Sequence, residues 1–374
     1  MLHSKKKLLF IFGTRPEAIK LAPLIKELQK HPGQFEIKIC VTAQHREMLD
    51  QVLNFFEIVP DFDLKIMSPG QSLFDVTSIA LKAIEKVFDE YHPQLVFIQG
   101  DTTTSFIGSL AAYYKKVKVA HIEAGLRSGD KYSPFPEEIN RVLTGRLSDF
   151  HFTPTQKSTE NLEKENIRTH VYNVGNTVID ALFLGLELVK KSGEEKYKQQ
   201  FSFADFSKRV VLITAHRRES FGKPFENICD AIKEVASKFP VEFIFPVHLN
   251  PNVREPVNKI LKNLSNVHLI EPLDYPSFIW LMNKSYIVLT DSGGLQEEAP
   301  SLGKPVLVMR DVTERQEGID AGTAKLVGTN KEVIIKEMTT LLSDESAYRR
   351  MAHSVNPYGN GTACKKIVEI LLKT

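Results

Sequence analysis

Short apolar runs rich in Val, Ile and Phe alternate with longer amphipathic stretches along almost the whole chain. In the first half the runs are Leu8–Phe12, Ile37–Thr42, Leu95–Gln99, Val117–Glu123 and Phe150–Thr153. In the second half they are Val210–Thr214, Glu242–Val247, Val267–Ile270, Ile287–Thr290 and Pro305–Met309. Runs this continuous suit strands buried on both faces of a parallel sheet. The stretches between them repeat at helical spacing, as in Ser72–Tyr91, where Leu73, Val76, Ala80, Ile84 and Val87 trace one face. Strand–helix alternation repeated this often predicts an α/β fold of open sheets joined by right-handed crossovers.

A chain of 374 residues exceeds what a single hydrophobic core usually reaches, so two domains are expected. The seam falls around Val174-Gly175-Asn176, followed by a helix at Val178–Lys190 and a polar, charge-rich stretch over 191–207. The expected division is 1–174 and 175–357, two doubly wound domains facing a central cleft. The last helix, about Thr362–Lys373 within 358–374, has no strand after it and is expected to pack back on the first domain.

Composition narrows the function classes. Hydrophobic residues make up 42% and charged residues 25%, as in ordinary globular chains, which argues against disorder or a fibre. Lys and Arg total 48 against 46 Asp and Glu, a balance that offers no basic field for nucleic acid. No stretch approaches the ~18 apolar residues a membrane helix needs, so no membrane insertion is expected. Lys5-Lys6-Lys7 before Leu8–Phe12 imitates the start of a signal peptide, but that run is too short and stops at Gly13-Thr14-Arg15. The three cysteines, Cys40, Cys229 and Cys364, lie far apart without a CxxC, against a disulfide framework or a cysteine zinc site. The reading is a soluble cytoplasmic protein.

In open α/β sheets, ligands sit at the carboxyl ends of strands, where helix N-termini offer amide donors. The residues just after each apolar run are therefore the candidates. The first run leads into Gly13-Thr14-Arg15-Pro16-Glu17, with Lys20 one turn on. A proline suits the first helical position, and a cation at a helix start opposes the dipole unless it faces an anion, so Arg15 and Lys20 read as a phosphate clamp. The second run ends in Thr42-Ala43-Gln44-His45-Arg46, which either lines the site or caps the next helix. Gln99-Gly100-Asp101-Thr102-Thr103-Thr104 puts Asp101 where a strand stops, with N-capping as its plain alternative. His121-Ile122-Glu123 alternates by two, so both polar side chains are expected on one side, near Asp101. The HxE pair lacks the PCxxC of zinc deaminases. Pro134-Phe135-Pro136-Glu137 opens a helix in which Glu137 and Arg141 could form an i,i+4 pair.

In the second half, His216 follows a strand and is flanked by Arg217 and Arg218, which suits phosphate binding or proton transfer. Asp291-Ser292-Gly293-Gly294 supplies small residues at a strand–helix junction, where amides can approach a diphosphate; Glu298 follows a turn later and could meet ribose hydroxyls. Arg315 comes from a loop after the last of these strands. Neither a GxGxxG after the first strand nor a GxxxxGK[ST] is present, so no nicotinamide fingerprint and no nucleotide-hydrolysing loop is found.

Eight segments, in order, carry a resemblance: GTRPEAIKLAPL from Gly13, TAQHREMLDQV from Thr42, GDTTT from Gly100, HIEAGLRS from His121, PFPEEINR from Pro134, AHRRESFG from Ala215, DSGGLQEEAP from Asp291 and TERQEG from Thr313. Together they resemble the non-hydrolysing bacterial UDP-N-acetylglucosamine 2-epimerases. That resemblance implies two Rossmann-like domains in a GT-B-like arrangement, a homodimer and no cofactor or metal. It also implies interconversion of UDP-GlcNAc and UDP-ManNAc for surface polysaccharides, through elimination of UDP to a 2-acetamidoglucal. It assigns the acid/base carboxylates to Asp101, Glu123 and Glu137, with Arg141 positioning one of them. Arg15, Lys20 and His216 then neutralise or protonate the departing UDP, and Asp101, Glu123 and His216 also contact substrate. Ser292, Gly293 and Gly294 are implied to hold the diphosphate, Glu298 the ribose, Phe278 the uracil face, Leu273 the uracil through its backbone, and Arg315 the nucleotide. Some members bind a second UDP-GlcNAc as activator through a Gln-His-Arg cluster and an arginine in the next loop. Gln44, His45 and Arg46 are present, but residues 67–71 read Met-Ser-Pro-Gly-Gln without that arginine.

Overall fold

Among the described residues thirteen strands form two parallel sheets, and the ten apolar runs account for ten of them. The computed structural model describes residues 5–42, 46–68 and 70–374. The first sheet contains β1 (Lys6–Phe12), β2 (Phe35–Val41), β3 (Phe62–Asp63), β4 (Leu95–Gln99), β5 (Lys118–Ile122), β6 (Phe150–Thr153) and β7 (Val171–Asn173), in the order β3-β2-β1-β4-β5-β6-β7. The second contains β8 (Arg209–Thr214), β9 (Val241–Pro246), β10 (Val267–Ile270), β11 (Ile287–Thr290), β12 (Val306–Val308) and β13 (Ala324–Leu326), in the order β10-β9-β8-β11-β12-β13. Each is a Rossmann-like, doubly wound sheet. Its chain runs outward from a central strand, then returns to the other side of that strand, so the order reverses between β1 and β4 and between β8 and β11.

Burial explains why the strands were visible as runs. Leu8 to Phe12, Leu95 to Ile98 and Val210 to Ile213 are almost fully shielded from water on both faces. Each such Leu, Ile or Phe gains about 1.5–3 kcal/mol over an exposed one. The edge strands β3, β7 and β13 are only two or three residues long, too short to show a period, and no pattern announced them. Helices cover the faces. The helix Leu73–Tyr91 is capped by Ser72 and buries Val76, Ala80, Ile84, Val87 and Phe88.

The chain divides into one unit of 1–184 with 358–374 and a second of 185–357. The division lies inside the helix Thr177–Lys191, ten residues beyond the boundary expected at 174. The reason is packing: Val178 and Ile179 cluster with Tyr358, and Phe183 packs against them, so the first half of this helix stays with the first unit. The helix Ala363–Leu371 buries Ala363, Cys364, Ile367, Val368 and Leu371, and packs along the helix Arg15–Leu28 of the same unit. Buried Asp180 accepts from the amides of Ala363 and Cys364 and fixes its start.

Candidate active site

Each reversal of strand order brings two strand ends side by side, and the chemistry-bearing residues collect there. In the first unit these are the loops after β1 and β4. Gly13 ends β1 at a point so crowded that a Cβ would lie 2.8 Å from Thr104 Oγ1 and closer still to Thr42 Oγ1, so only glycine fits without a shift. Thr14 caps the helix Arg15–Leu28 in a capping box with Glu17, and places Arg15 at the first helical position. Glu17 is 1% exposed. Its Oε2 accepts from Gly13 N, Thr14 N and Thr14 Oγ1 at 3.0, 2.8 and 2.8 Å, and its Oε1 from Thr102 Oγ1 at 2.7 Å and Ser105 Oγ at 3.1 Å. Burial pushes its carboxyl upward, and hydrogen bonds from Thr102, Thr14 and Gly13 pull the other way.

After β4 the cap of the helix Thr103–Tyr114 is Thr102, whose hydroxyl accepts from Ser105 N, so Asp101 is not the N-cap. Asp101 instead meets Arg141, Oδ2 to Nη2 at 2.5 Å, and its carbonyl accepts from Asn140 Nδ2 at 3.0 Å. Burial raises the Asp101 carboxyl above its ordinary range; Arg141 and Lys20 oppose this, while Glu123 adds to it. Arg141 also lies 3.3 Å from Glu138, whose carboxylate accepts from the amides of Ser128 and Gly129. Among the described residues Arg141 makes no i,i+4 pair with Glu137. The Glu137 Oε2 is buried without a hydrogen-bond partner there.

Strand β5 stops at Ile122, and Glu123 adopts φ +66°, a left-handed conformation rare and costly for a residue with a side chain. The strand alternation expected to align it with His121 therefore ends one residue before it. The Glu123 carboxylate is met by Lys20 Nζ at 2.5 and 2.7 Å, by Asn176 Nδ2 at 3.4 Å, and by Gln99 Nε2. Lys20, expected beside Arg15 in a phosphate clamp, is turned onto Glu123, and its ammonium favours the ionised carboxylate. His121 is wholly buried, with Nε2 2.8 Å from Gly100 O. Burial drives its pKa down to about 3, against that hydrogen bond, so the ring is neutral and holds the Gly100 turn.

In the second unit the paired loops follow β8 and β11. Asp291, 1% exposed, accepts through Oδ2 from His216 N at 2.6 Å and Arg217 N at 2.7 Å; His216 Nδ1 lies 3.0 Å from its Oδ1. Burial works against ionisation of Asp291, but His216 and these amides prevail and hold its carboxyl below the ordinary range. The His216 ring is 43% exposed, which leaves its far side open, and it stacks on His248 with centroids 5.7 Å apart. The amide of Ser292, expected to serve a diphosphate, donates here to Thr290 Oγ1 at 2.9 Å. The amides of Gly293 and Gly294 stand at the first two positions of the short helix Gly293–Glu298, where no intrahelical acceptor exists. Arg315 Nε donates to buried Glu297 at 2.7 Å, and a Cβ on Gly293 would lie 3.6 Å from the Arg315 Cζ. Glu298 is buried on the same helix; Leu273 and Phe278 are half-buried at and after the end of β10. Gln44 and His45, and the side chain of Arg46, lie outside the described residues.

Three residues escaped the sequence reading. Asp291 was read only as the opening of a small-residue segment, Glu297 was passed over for Glu298, and Glu17 was taken as part of a helix start. For Asp291 a signal existed: it is the first residue after an apolar run. Nothing in the spacing marks Glu297 as the partner of an arginine eighteen residues on. Among the described residues, no group of three or more His, Cys, Asp and Glu side chains is placed to hold a metal ion. No helix there is long and apolar enough to cross a membrane.

Residues 26–372 match the family described as UDP-N-acetylglucosamine 2-epimerase. The chain is 54% identical over 369 residues to the UDP-N-acetylglucosamine 2-epimerase of Escherichia coli (strain K12), covering 98% of each. It superimposes with a TM-score of 0.90, at 53% identity, on the crystal structure of the UDP-GlcNAc 2-epimerase from Neisseria meningitidis bound to UDP-GlcNAc, covering 98% of this chain and 100% of that one. The Methanocaldococcus jannaschii UDP-GlcNAc 2-epimerase in complex with UDP-GlcNAc and UDP gives 0.80 at 36% identity, with 98% and 100% covered. The chain belongs to the non-hydrolysing UDP-N-acetylglucosamine 2-epimerases.

Proposed function

We propose that the protein interconverts UDP-N-acetylglucosamine and UDP-N-acetylmannosamine by eliminating UDP to a 2-acetamidoglucal and adding it back. The C2 hydrogen of the sugar is not adjacent to a carbonyl, so its direct removal is slow. If the C1–O bond breaks first, its electron pair leaves with UDP and positive charge grows at C1. The C2–H electrons then form the C1=C2 bond while a carboxylate takes the proton. Protonation of the glycal at C2 from the opposite face, with a UDP oxygen re-adding at C1, inverts the centre. This route needs acid/base groups on both faces of the ring and stabilisation of the departing diphosphate.

The observation that carries the reading is the set of three acids at the first unit's paired strand ends, each in a different environment. Glu123 is held by an ammonium, Asp101 is raised by burial and positioned by Arg141, and Glu137 keeps a buried oxygen without a partner among the described residues. Acids held by different partners suit proton removal on one face and delivery on the other. Buried acids beside a diphosphate oppose its binding unless they do chemistry. Arg15, His216 and Arg315, with the amides of Gly293 and Gly294, receive the diphosphate; Glu298 takes the ribose, and Phe278 and the Leu273 backbone the uracil. The substrate assignment is supported by the Neisseria relative bound to UDP-GlcNAc. The working assembly in this reading is a homodimer, and its product feeds surface-polysaccharide synthesis.

Incubation of the protein with UDP-GlcNAc in D₂O, followed by proton NMR, tests this. UDP-ManNAc is expected to appear as the C2 proton signal is lost to exchange. Free ManNAc with UDP would move the reaction to a hydrolysing class. Epimerisation with full retention of the C2 proton signal would remove exchange with solvent from the mechanism.

A further inference from the structure

Glu17 is a buried carboxylate that no ion pair reaches among the described residues. Burying a charge is costly unless it is compensated, and here the compensation is a ring of hydrogen-bond donors. The two oxygens divide the work by loop. Oε2 serves Gly13 and Thr14 after β1, whereas Oε1 serves Thr102 and Ser105 after β4. A capping box accounts for the first limb only. The second crosses 85 residues of sequence to the turn that carries Asp101. It also continues inward: the single Ser105 hydroxyl hydrogen is shared between Glu17 and Gln99 O, 2.5 Å away, and the Gln99 side chain holds Glu123.

We propose that Glu17 is a positioning residue for the epimerisation: its two carboxyl oxygens tie the Arg15 loop to the Asp101 turn across the β1/β4 reversal, so that the diphosphate-facing cation and the acid/base carboxylates keep one register. The assignment rests on the roles given above to Arg15 and Asp101. It explains why an acid stands where the capping box alone would accept a glutamine. An amide in its place has a single acceptor oxygen, and its NH₂ group would face the donors of one loop.

The test uses the full chain with Glu17→Gln, Thr102→Val and the pair Glu17→Gln/Asp101→Asn, at a temperature where melting curves show each to be folded. Turnover of UDP-GlcNAc and calorimetric affinity for UDP are read separately. Misplacing catalytic groups by about 1 Å costs about a hundredfold. Glu17→Gln is therefore expected to lower kcat by about that factor and to weaken UDP about tenfold. Thr102→Val leaves the first limb intact, removes the Thr102 bond of the second together with the cap of the helix Thr103–Tyr114, and is expected to lower kcat with UDP affinity unchanged. In the double variant the two losses in kcat are expected to fall short of their product, because one of the groups Glu17 positions has already lost its function. A Glu17→Gln protein with normal kcat and normal UDP affinity but a lower melting temperature overturns the proposal, as does a multiplicative loss in the double variant. If Glu17→Gln does not fold, Thr102→Val decides: unchanged kcat overturns it. If the unaltered chain binds UDP but fails to epimerise, the reaction assigned above is wrong, while UDP affinity of Glu17→Gln still reports whether the clamp exists.

Discussion

The two units meet the same problem with opposite geometry. In each, a doubly wound sheet reverses its order and leaves two strand ends side by side. In each, one nearly inaccessible carboxylate spans the gap. In the first unit the acid, Glu17, comes from the loop after the earlier strand, β1, and reaches the later one. In the second unit the acid, Asp291, comes from the later strand end, after β11, and reaches back to the amides after β8. What they hold also differs. Around Glu17 the side chains are consumed in mutual pairs, Lys20 with Glu123 and Arg141 with Asp101. Beside Asp291 stand an exposed imidazole and two glycine amides at helix positions that have no intrahelical acceptor. The first arrangement suits the handling of protons, where charges must be fixed before substrate arrives. The second suits the reception of an anion, where donors must remain available.

The sharpest break of this contrast is at the acids. Asp101→Asn, Glu123→Gln and Glu137→Gln are each expected to lower turnover by about 10²–10⁴, while UDP affinity stays within about tenfold. NMR rates and calorimetry check this, and loss of UDP binding at unchanged fold would reassign these residues to binding. A smaller effect is expected from Asp291→Asn, about tenfold to a hundredfold in kcat, because the amide no longer fixes the His216 ring. This variant also loses stability. The Asp291 carboxyl lies below its unfolded value, so its contribution is present above that value and fades as the pH falls through the folded one. A normal kcat with a lower melting temperature would make Asp291 a staple of the sheet alone.

The smallest effect separates the units by pH. His121 and His151 are register partners on β5 and β6, pushed by burial to about 3 and about 4 respectively. Their folded values are depressed, so the unfolded chain binds the extra protons. Their contribution is complete above about pH 6.5 and is lost progressively toward their folded values. Between pH 6 and 5 the slope is about 1.4 kcal/mol per pH unit for each histidine. Urea midpoints measured across this range are expected to fall, and His121→Gln to flatten the fall. A flat profile in the unaltered protein would mean the two rings are not buried neutral.

Much of this architecture was legible because burial writes itself into composition. β4, β6, β10 and β11 coincide with the apolar runs that announced them. The carboxyl-end rule singled out Asp101, His216 and Ser292, and the structure places each of them just after the end of a strand. The part that stayed hidden depends on three-dimensional choice. Whether Asp101 or Thr102 caps a helix, whether Arg141 turns to Glu137 or Asp101, and whether Lys20 faces a phosphate or Glu123 are near-equal options in one dimension. Tertiary packing decides them. Three of the four edge strands, β3, β7 and β13, were lost for a different reason, since two or three residues carry no period.

The division of the chain at 184/185 and 357/358 has a consequence for synthesis. The second unit is one uninterrupted segment, whereas the first is assembled from two stretches separated by all of it. On a ribosome the later-encoded unit is complete once residue 357 has emerged. The earlier one must wait, its helix Arg15–Leu28 lacking a covering partner, until Ala363–Leu371 arrives. Folding from the N-terminus forward, the usual order for chained domains, is thus inverted at the final step. Nascent chains stopped short of residue 363 would leave that surface to chaperones.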